Sequence, residues 1–349
     1  MTNGMLRTTP DVRAETLPVR PAPLRAAVVA VPPAVVDSEF ARDLLAALAR
    51  RPRSIAPKYF YDAAGSALFD RICELPEYYP TRTELALLAT HAPEIARCIG
   101  PDAEIVEFGA GSSRKVRLLL DALQRPRRFV PIDISGEHLH SAAAALRADY
   151  PALDVQPIAA DFTRPLELPG ALDRSARRVG FFPGSSIGNF TPDEGLRFLR
   201  QAAEWLRGAP GAPAGGMLVG VDLVKDPARL HAAYNDAAGV TAAFNLNLLA
   251  RANRELGANF DLDAFAHYAF YEPTRQRIEM HLVSRRAQQV RVCGHDFGFD
   301  EGDTLHTENS HKFSVAGFRA LARRAGYRPG PVWCDAERLF SVHWLALPA

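Results

Sequence analysis

The stretch VEFGAGSSRK, Val106–Lys115, decides the reading of the fold. It closes the apolar run AEIVEFG, passes through Gly109 and Gly111, and opens KVRLLLDAL, whose apolar residues recur at helical spacing. A buried strand that turns through glycines into a helix lets backbone amides approach a ligand closely. A nicotinamide-binding loop of this kind ends on a third small residue for tight helix–strand packing. Arg114 stands there instead, so that reading loses most of its support.

Outward from the loop, strands and helices alternate. RFVPIDIS, DVQPIAADF, RVGFFPGSS and GGMLVGVDLV read as strands, separated by helices HLHSAAAALRADY and DEGLRFLRQAAEWL. Five strands alternating with helices predict a parallel sheet with right-handed crossovers. The pattern then changes: DPARLHAAYNDAAGVTAAFNLNLLARANREL reads as a long helical region, and QRIEMHLVS with QQVRVCG as an antiparallel hairpin. Helix SVAGFRALARRAG and strands PVWCD and RLFSVHWLAL close the chain, supplying what a seven-stranded sheet still needs. On the N-terminal side, DSEFARDLLAALA has a Ser or Asp cap before its apolar spacing. SALFDRICEL and TRTELALLATHAPEIARCI read as two further helices.

The expected class is therefore α/β, a seven-stranded Rossmann-like class I methyltransferase sheet with a second, smaller α+β substrate domain. Residues 1–37, rich in Pro, Ala and Arg, read as a flexible extension. Residues 38–82 and 225–311 form the expected substrate-binding domain. Residues 83–224 and 312–349 form the expected S-adenosylmethionine-binding domain.

Three acidic residues at strand ends support that cofactor. Glu107, two before the first glycine, is positioned to face a methionine ammonium, although Ser113 replaces a third glycine often found in such loops. Asp133, ending the second strand, suits a carboxylate that accepts two ribose hydroxyls. Asp161, ending the third strand with Phe162 beside it, suits an adenine amino group. Each Asp alone reads equally well as a turn residue. Their coincidence with Gly109 and Gly111 at successive strand ends favours the cofactor.

Composition narrows the partners. Lys+Arg 41 against Asp+Glu 40 leaves a net charge of +1 in 349 residues, so no overall field draws nucleic acid or an acidic membrane. A small-molecule substrate and a monomer are expected. Cys73, Cys98, Cys293 and Cys334 stand far apart, which suggests neither a zinc site nor a disulfide framework. No window approaches the roughly 20 apolar residues of a membrane span. A cytoplasmic enzyme without a metal is the expectation, and His306 and His311 read as structural or surface residues.

The motifs PKYFYDAAGS, LPEYYPTRTE, FGAGSSRK, PGSSIGNF, DLVKDPARLHAAYNDAAGVTAAFN, RIEMHL and TENSHKFS occur in this order from Pro57 onward. Together they resemble the ergothioneine-pathway L-histidine Nα-methyltransferases. The resemblance implies S-adenosylmethionine-dependent trimethylation of L-histidine to hercynine, the first step of ergothioneine biosynthesis. It implies cofactor contacts at Gly109, Lys115, Asp133, Asp161 and Phe162, of which Lys115 rests on the resemblance alone. It also implies that histidine is held between Tyr61, Tyr78, Gly184, Asn189, Tyr234, Glu308 and Ser310, and it places Met280 near the imidazole. Met280 alternates with Ile278 and Leu282, so core packing is its ordinary reading.

Each implied residue has suitable chemistry. Asn189 can donate to a carboxylate and accept from an amine, and Tyr234 can donate to the same carboxylate. Glu308 can accept an imidazole N–H. Ser310, two residues on and on the same face of an extended segment, serves the other ring nitrogen by donating or accepting. The implied reaction is in-line attack of the amine on a sulfonium methyl, governed by alignment and desolvation. Tyr61 or a water it holds is a candidate proton acceptor, but a phenol near 10 is a poor base at pH 7, and deprotonation by solvent is equally compatible. Two rivals remain: a methyltransferase of the same fold acting on another free amino acid, and a cofactor-binding module without catalysis. Glu308 argues against tryptophan or phenylalanine as substrate, since a neutral or absent donor would leave that carboxylate unpaired in a pocket.

Overall fold

The computed structural model describes residues 38–111, 113–164, 175–209 and 211–348. The extension expected at 1–37 lies outside them. Helix α1 (Glu39–Ala49) starts where Ser38 accepts from the Ala41 amide at 3.1 Å, and it buries Phe40, Ala41, Leu44, Ala47 and Leu48. That side-chain cap replaces an intrahelical partner the first turn lacks. After the short strand β1 (Arg53–Ser54), Asp62 caps α2 (Ala63–Glu74) through the Gly65 amide. Helix α3 (Tyr79–Ile99) begins two residues before the expected Thr81, with Pro80 in its first turn where no amide is needed.

The glycine loop follows β2 (Glu104–Phe108), buried at every residue, and leads into α4 (Arg114–Leu120). Then come β3 (Arg128–Asp133), α5 (Gly136–Asp149), β4 (Asp154–Val155), β5 (Ile158–Ala159), β6 (Arg178–Phe182), α6 (Pro192–Leu206) and β7 (Gly216–Asp222). The strand expected from DVQPIAADF is split in two. β4 pairs with Arg128 and Phe129 and β5 with Ile132 and Asp133, because Pro157 and the facing Pro131 have no amide to donate between them.

Next are α7 (Pro227–Tyr234), α8 (Val240–Leu256), β8 (Phe265–Glu272), β9 (Arg277–Ser284), β10 (Gln288–Val292), β11 (His295–Phe299) and β12 (Thr304–His311). The chain closes with α9 (Val315–Arg324), β13 (Arg328–Cys334) and β14 (Phe340–Ala346). The large sheet runs β13-β14-β7-β6-β2-β3-β4, with β5 also on β3, and β14 lies antiparallel between β7 and β13. Five parallel strand positions closed by an antiparallel pair are the class I methyltransferase arrangement. Successive residues point to opposite faces, so Val106 and Phe108 pack with α6 and α9 while Ile105 packs with α3 and α4.

Two local expectations are corrected. The long helical region is two helices, because Asp236 accepts from the amides of Val240 and Thr241 at 2.8 Å each and restarts the helix after Gly239. The hairpin expected between RIEMHLVS and QQVRVCG does not form. β9 pairs with β8 on one edge and β12 on the other, while β10 pairs with β11 across a tight turn at Cys293 and Gly294, both at positive φ.

Strands β1, β12, β9 and β8 form this second sheet. Its core takes Phe40–Tyr79 side chains together with Leu230, Phe244, Leu248, Ile278, Met280 and Leu282. No helix among the described residues is long and apolar enough to cross a membrane.

Candidate active site

A cavity of about 980 Å³ opens at the carboxyl ends of the parallel strands, where ligands collect in sheets of this kind. One wall includes Glu107, Gly109, Gly111, Lys115, Asp133, Asp161 and Phe162, the residues expected to contact the cofactor. Gly109 adopts φ +74°, a left-handed conformation that a side chain would strain, directly where the strand turns toward the helix. Glu107 is 2% exposed and its Oε2 has no hydrogen-bond partner. Burial pushes its carboxyl well above the usual range, with Lys115 pulling the other way. An unpaired, buried carboxylate oxygen beside the cavity fits a cationic ligand group such as a methionine ammonium.

Asp133 accepts from the amides of Ser135 at 2.8 Å and Gly111 at 3.4 Å, which ties the second strand end to the glycine loop. Burial raises its pKa against those bonds. Asp161 is already engaged: its Oδ2 accepts from Lys58 Nζ at 2.8 Å and its Oδ1 from the Thr163 amide at 2.9 Å. Burial opposes its charge, but Lys58 and Thr163 hold the carboxyl below its ordinary value. Phe162 belongs to a cluster with Phe108, Phe182 and Phe198, at centroid distances of 5.7–6.1 Å.

Lys115 is anchored by a residue that the sequence reading missed. Its Nζ lies 2.7 Å from Glu84 Oε2, and fully buried Glu84 also accepts from the Gly184 amide at 2.9 Å. Gly220 makes room for this carboxylate, since a Cβ there would sit 1.9 Å from Glu84 Oε1. A signal existed: Glu84 falls on the same helical stripe as Leu87 and Leu88, where a carboxylate needs partners.

The implied substrate residues divide into two layers. Tyr61, Tyr78, Gly184 and Asn189 line the cavity. Tyr234, Met280, Glu308 and Ser310 are buried behind that wall, with the Tyr234 ring 6.4 Å from Tyr78. Burial raises the phenols of Tyr61 and Tyr78 well above their usual value, and Glu308 adds to both. Glu308 itself is pushed up to about 7 by burial, against the pull of Lys312. On β9, Met280 is 2% exposed and pairs with Ala269 and Glu308, so it packs in the core as its alternation predicts.

A buried polar network that sequence reasoning did not find lies beneath this layer. Lys312 Nζ donates to Tyr234 Oη at 3.0 Å and Ser310 Oγ at 2.7 Å, and pairs with Asp222 Oδ2 at 2.8 Å. Tyr79 donates to Asp222 at 2.8 Å and accepts from Lys225 at 2.7 Å. Tyr234, expected to donate to a substrate carboxylate, donates to Ser310 at 2.7 Å.

The model of the histidine-specific, S-adenosylmethionine-dependent methyltransferases matches residues 40–347. The chain belongs to this family. It is 46% identical over 306 residues to the histidine N-alpha-methyltransferase of Mycolicibacterium smegmatis, covering 86% of this chain and 92% of that one. The Mycobacterium tuberculosis protein of the same name is 43% identical over 307 residues, with the same coverage. Ergothioneine biosynthesis protein 1 of Neurospora crassa is 32% identical, over 84% of this chain and 33% of its own length. The glycine loop, the strand-end acids and the second sheet therefore sit in the frame of this methyltransferase family.

One trio of metal-ligating type occurs among the described residues. Ligand atoms of Glu279, His281 and His306 lie within 4.8 Å of one another. Arg277 already occupies Glu279, and the two imidazoles stack at 4.7 Å and 22°. Nearly parallel rings cannot aim in-plane lone pairs at one ion, so the trio reads as a stacked polar cluster on the sheet.

Proposed function

We propose that the protein trimethylates the α-amine of L-histidine, with S-adenosylmethionine as methyl donor, to give hercynine at the start of ergothioneine biosynthesis. The observation that carries this is the family match over residues 40–347, joined to a buried Glu308–Ser310 pair on the inner face of β12, behind the cavity. Residues 38–82 and 225–311 act as the substrate-binding domain, a grouping supported by their separate sheet and core. Residues 83–224 and 312–349 act as the cofactor domain. The enzyme works as a cytoplasmic monomer without a metal.

When bound, S-adenosylmethionine supplies an electrophilic methyl on a sulfonium, so the protein needs no nucleophile of its own. Glu107 receives the methionine ammonium and Lys115 its carboxylate, Asp133 the ribose hydroxyls, and Asp161 with Phe162 the adenine. Gly109 and Gly111 allow the close approach. On the substrate side, Asn189 and Tyr234 hold the carboxylate, Tyr61 and Asn189 orient the amine, and Tyr78 with the Gly184 backbone closes that wall. Glu308 and Ser310 take the imidazole, with Met280 packed behind.

The ammonium of histidine must lose a proton before its nitrogen can attack. Tyr61 is a poor acceptor, because burial raises its phenol further still. Solvent takes that proton, and likewise the one that the monomethylated and then the dimethylated ammonium must each lose before the next attack. The aromatic walls at Tyr61 and Tyr78 then tolerate the growing methylammonium through cation–π contact.

Mass spectrometry of the purified protein, incubated with S-adenosylmethionine and the twenty amino acids, tests the reading. Histidine alone should gain the mass of three methylene units. Methylation of a different amino acid, or none, would overturn it.

A further inference from the structure

Lys58 lies in the first motif, PKYFYDAAGS, and lines the cavity together with Asp161. It sits on the single-turn helix Pro57–Phe60, directly before Tyr61 of the cavity wall. That turn is held firmly on its own side. The Tyr59 hydroxyl donates to Asp43 Oδ2 at 2.5 Å, the Tyr59 carbonyl accepts from Arg251 of α8 at 3.0 Å, and Phe60 packs on Phe244 with ring centroids 4.6 Å apart. The Lys58 ammonium pairs with Glu39 of α1 and donates across to Asp161 Oδ2 at 2.8 Å, just past β5 of the large sheet. Burial works against its charge, but Asp161 and Glu39 raise its pKa.

This contact limits what Asp161 can offer a ligand. A carboxylate has about four acceptor positions. Both on Oδ1 are filled by Thr163, from its amide at 2.9 Å and its hydroxyl at 2.5 Å. Oδ2 takes Lys58, while Arg164 Nε stands 3.7 Å away, outside hydrogen-bond distance. Among the described residues, one position on Oδ2 therefore stays open. Thr163 restrains one oxygen and Lys58 the other, so the carboxylate is held in one orientation. Beside an ammonium it is ionised and can only accept.

We infer that Lys58 is a positioning residue for the cofactor: supplied by the N-terminal segment, it holds Asp161 ionised and oriented, with one acceptor position left for the adenine amino group. This rests on the proposed placing of adenine at Asp161. The adenine end of the cofactor site is then complete only when the segment that carries Tyr61 is docked against it. Lys58 acts through Asp161 and takes no part at the reacting atoms.

The test uses the full chain and calorimetry with S-adenosylhomocysteine at pH 7 and pH 5. Lys58→Met should bind it about 10-fold more weakly at pH 7, the size of a lost hydrogen bond to a charged group. Lys58→Arg, which keeps a cation between Glu39 and Asp161, should recover most of that affinity. The charged groups facing Asp161 are Lys58, Glu39 behind it and Arg164 on its own loop. Without the ammonium, burial and Glu39 push the Asp161 carboxyl up against Arg164 and Thr163, so it takes a proton at higher pH. The deficit of Lys58→Met relative to the wild type should therefore widen from pH 7 to pH 5, while Glu107 titrates in both proteins and cancels in the ratio. In turnover, KM for S-adenosylmethionine should rise with kcat and the KM for histidine unchanged. Lys58→Gln, neutral and of similar reach, serves if Lys58→Met does not fold. Wild-type affinity in the neutral variants, or a deficit equal at both pH values, would overturn the inference while Asp161→Ala remains impaired. Asp161→Ala binding S-adenosylhomocysteine as tightly as the wild type would instead reject the adenine reading itself.

Discussion

Replacing Glu308 by Gln should make the ligand-free protein more stable while it damages the enzyme. Burial lifts the Glu308 carboxyl from 4.5 to about 7. At about 1.4 kcal/mol for each pH unit, keeping it ionised costs the folded chain roughly 3 kcal/mol at pH 8. Because the folded state binds this proton more tightly than the unfolded chain, the cost is absent below pH 4.5, grows as pH rises and is complete above about pH 7. Glutamine has nearly the same shape and no charge, so Glu308→Gln removes the cost. Thermal unfolding at pH 8 should rise by about 6 °C, taking roughly 2 °C per kcal/mol for a chain of this size. At pH 5 the gain should shrink to under about 1 kcal/mol. The same variant loses a charge-assisted bond to the ring, so kcat/KM for histidine should fall about 10- to 150-fold with S-adenosylmethionine affinity unchanged. Equal melting temperatures at pH 8, or a gain that grows toward low pH, would refute the burial argument.

Asp133→Ala should weaken S-adenosylmethionine binding by about 1–3 kcal/mol in calorimetry, since it removes a carboxylate that also orders the Gly111 loop; unchanged affinity would reject the ribose assignment. Tyr61→Phe should raise KM for histidine but leave the shape of the kcat–pH profile intact, because the phenol is raised far from neutral pH; a lost ionisation would restore Tyr61 as the proton acceptor. Met280→Ala should cost roughly 2–5 kcal/mol in denaturant unfolding, as expected of a thioether 2% exposed in a packed core; a purely kinetic effect would place it on the ring instead.

The residues that were legible in the sequence share a property: their signal is local. Ser38 before α1 sits within three residues of the amide it caps. Gly109 lies directly between a β run and a helical run, and Asp133 and Asp161 follow strands visible from composition. The seven motifs that matched a family carried the rest of the candidate site, including Lys115, whose exposed-looking position gave no hint of its buried partner.

What the sequence by itself determined was the order of strands and helices in the large sheet and the glycine loop, because these depend on residues a few positions apart; β1, β8, β11 and β12 emerged only in the structure. Pairing was decided only by the tertiary structure. β9 and β10 look like neighbours joined by a short turn, yet β9 gains more by lying centrally between β8 and β12, where both edges and its apolar face are satisfied. Glu84 reaches Gly184 across 100 positions, and Lys312 reaches Tyr234 across 78. A buried charge is tolerable only where the fold brings partners to it, and such partners leave no periodic trace along the chain.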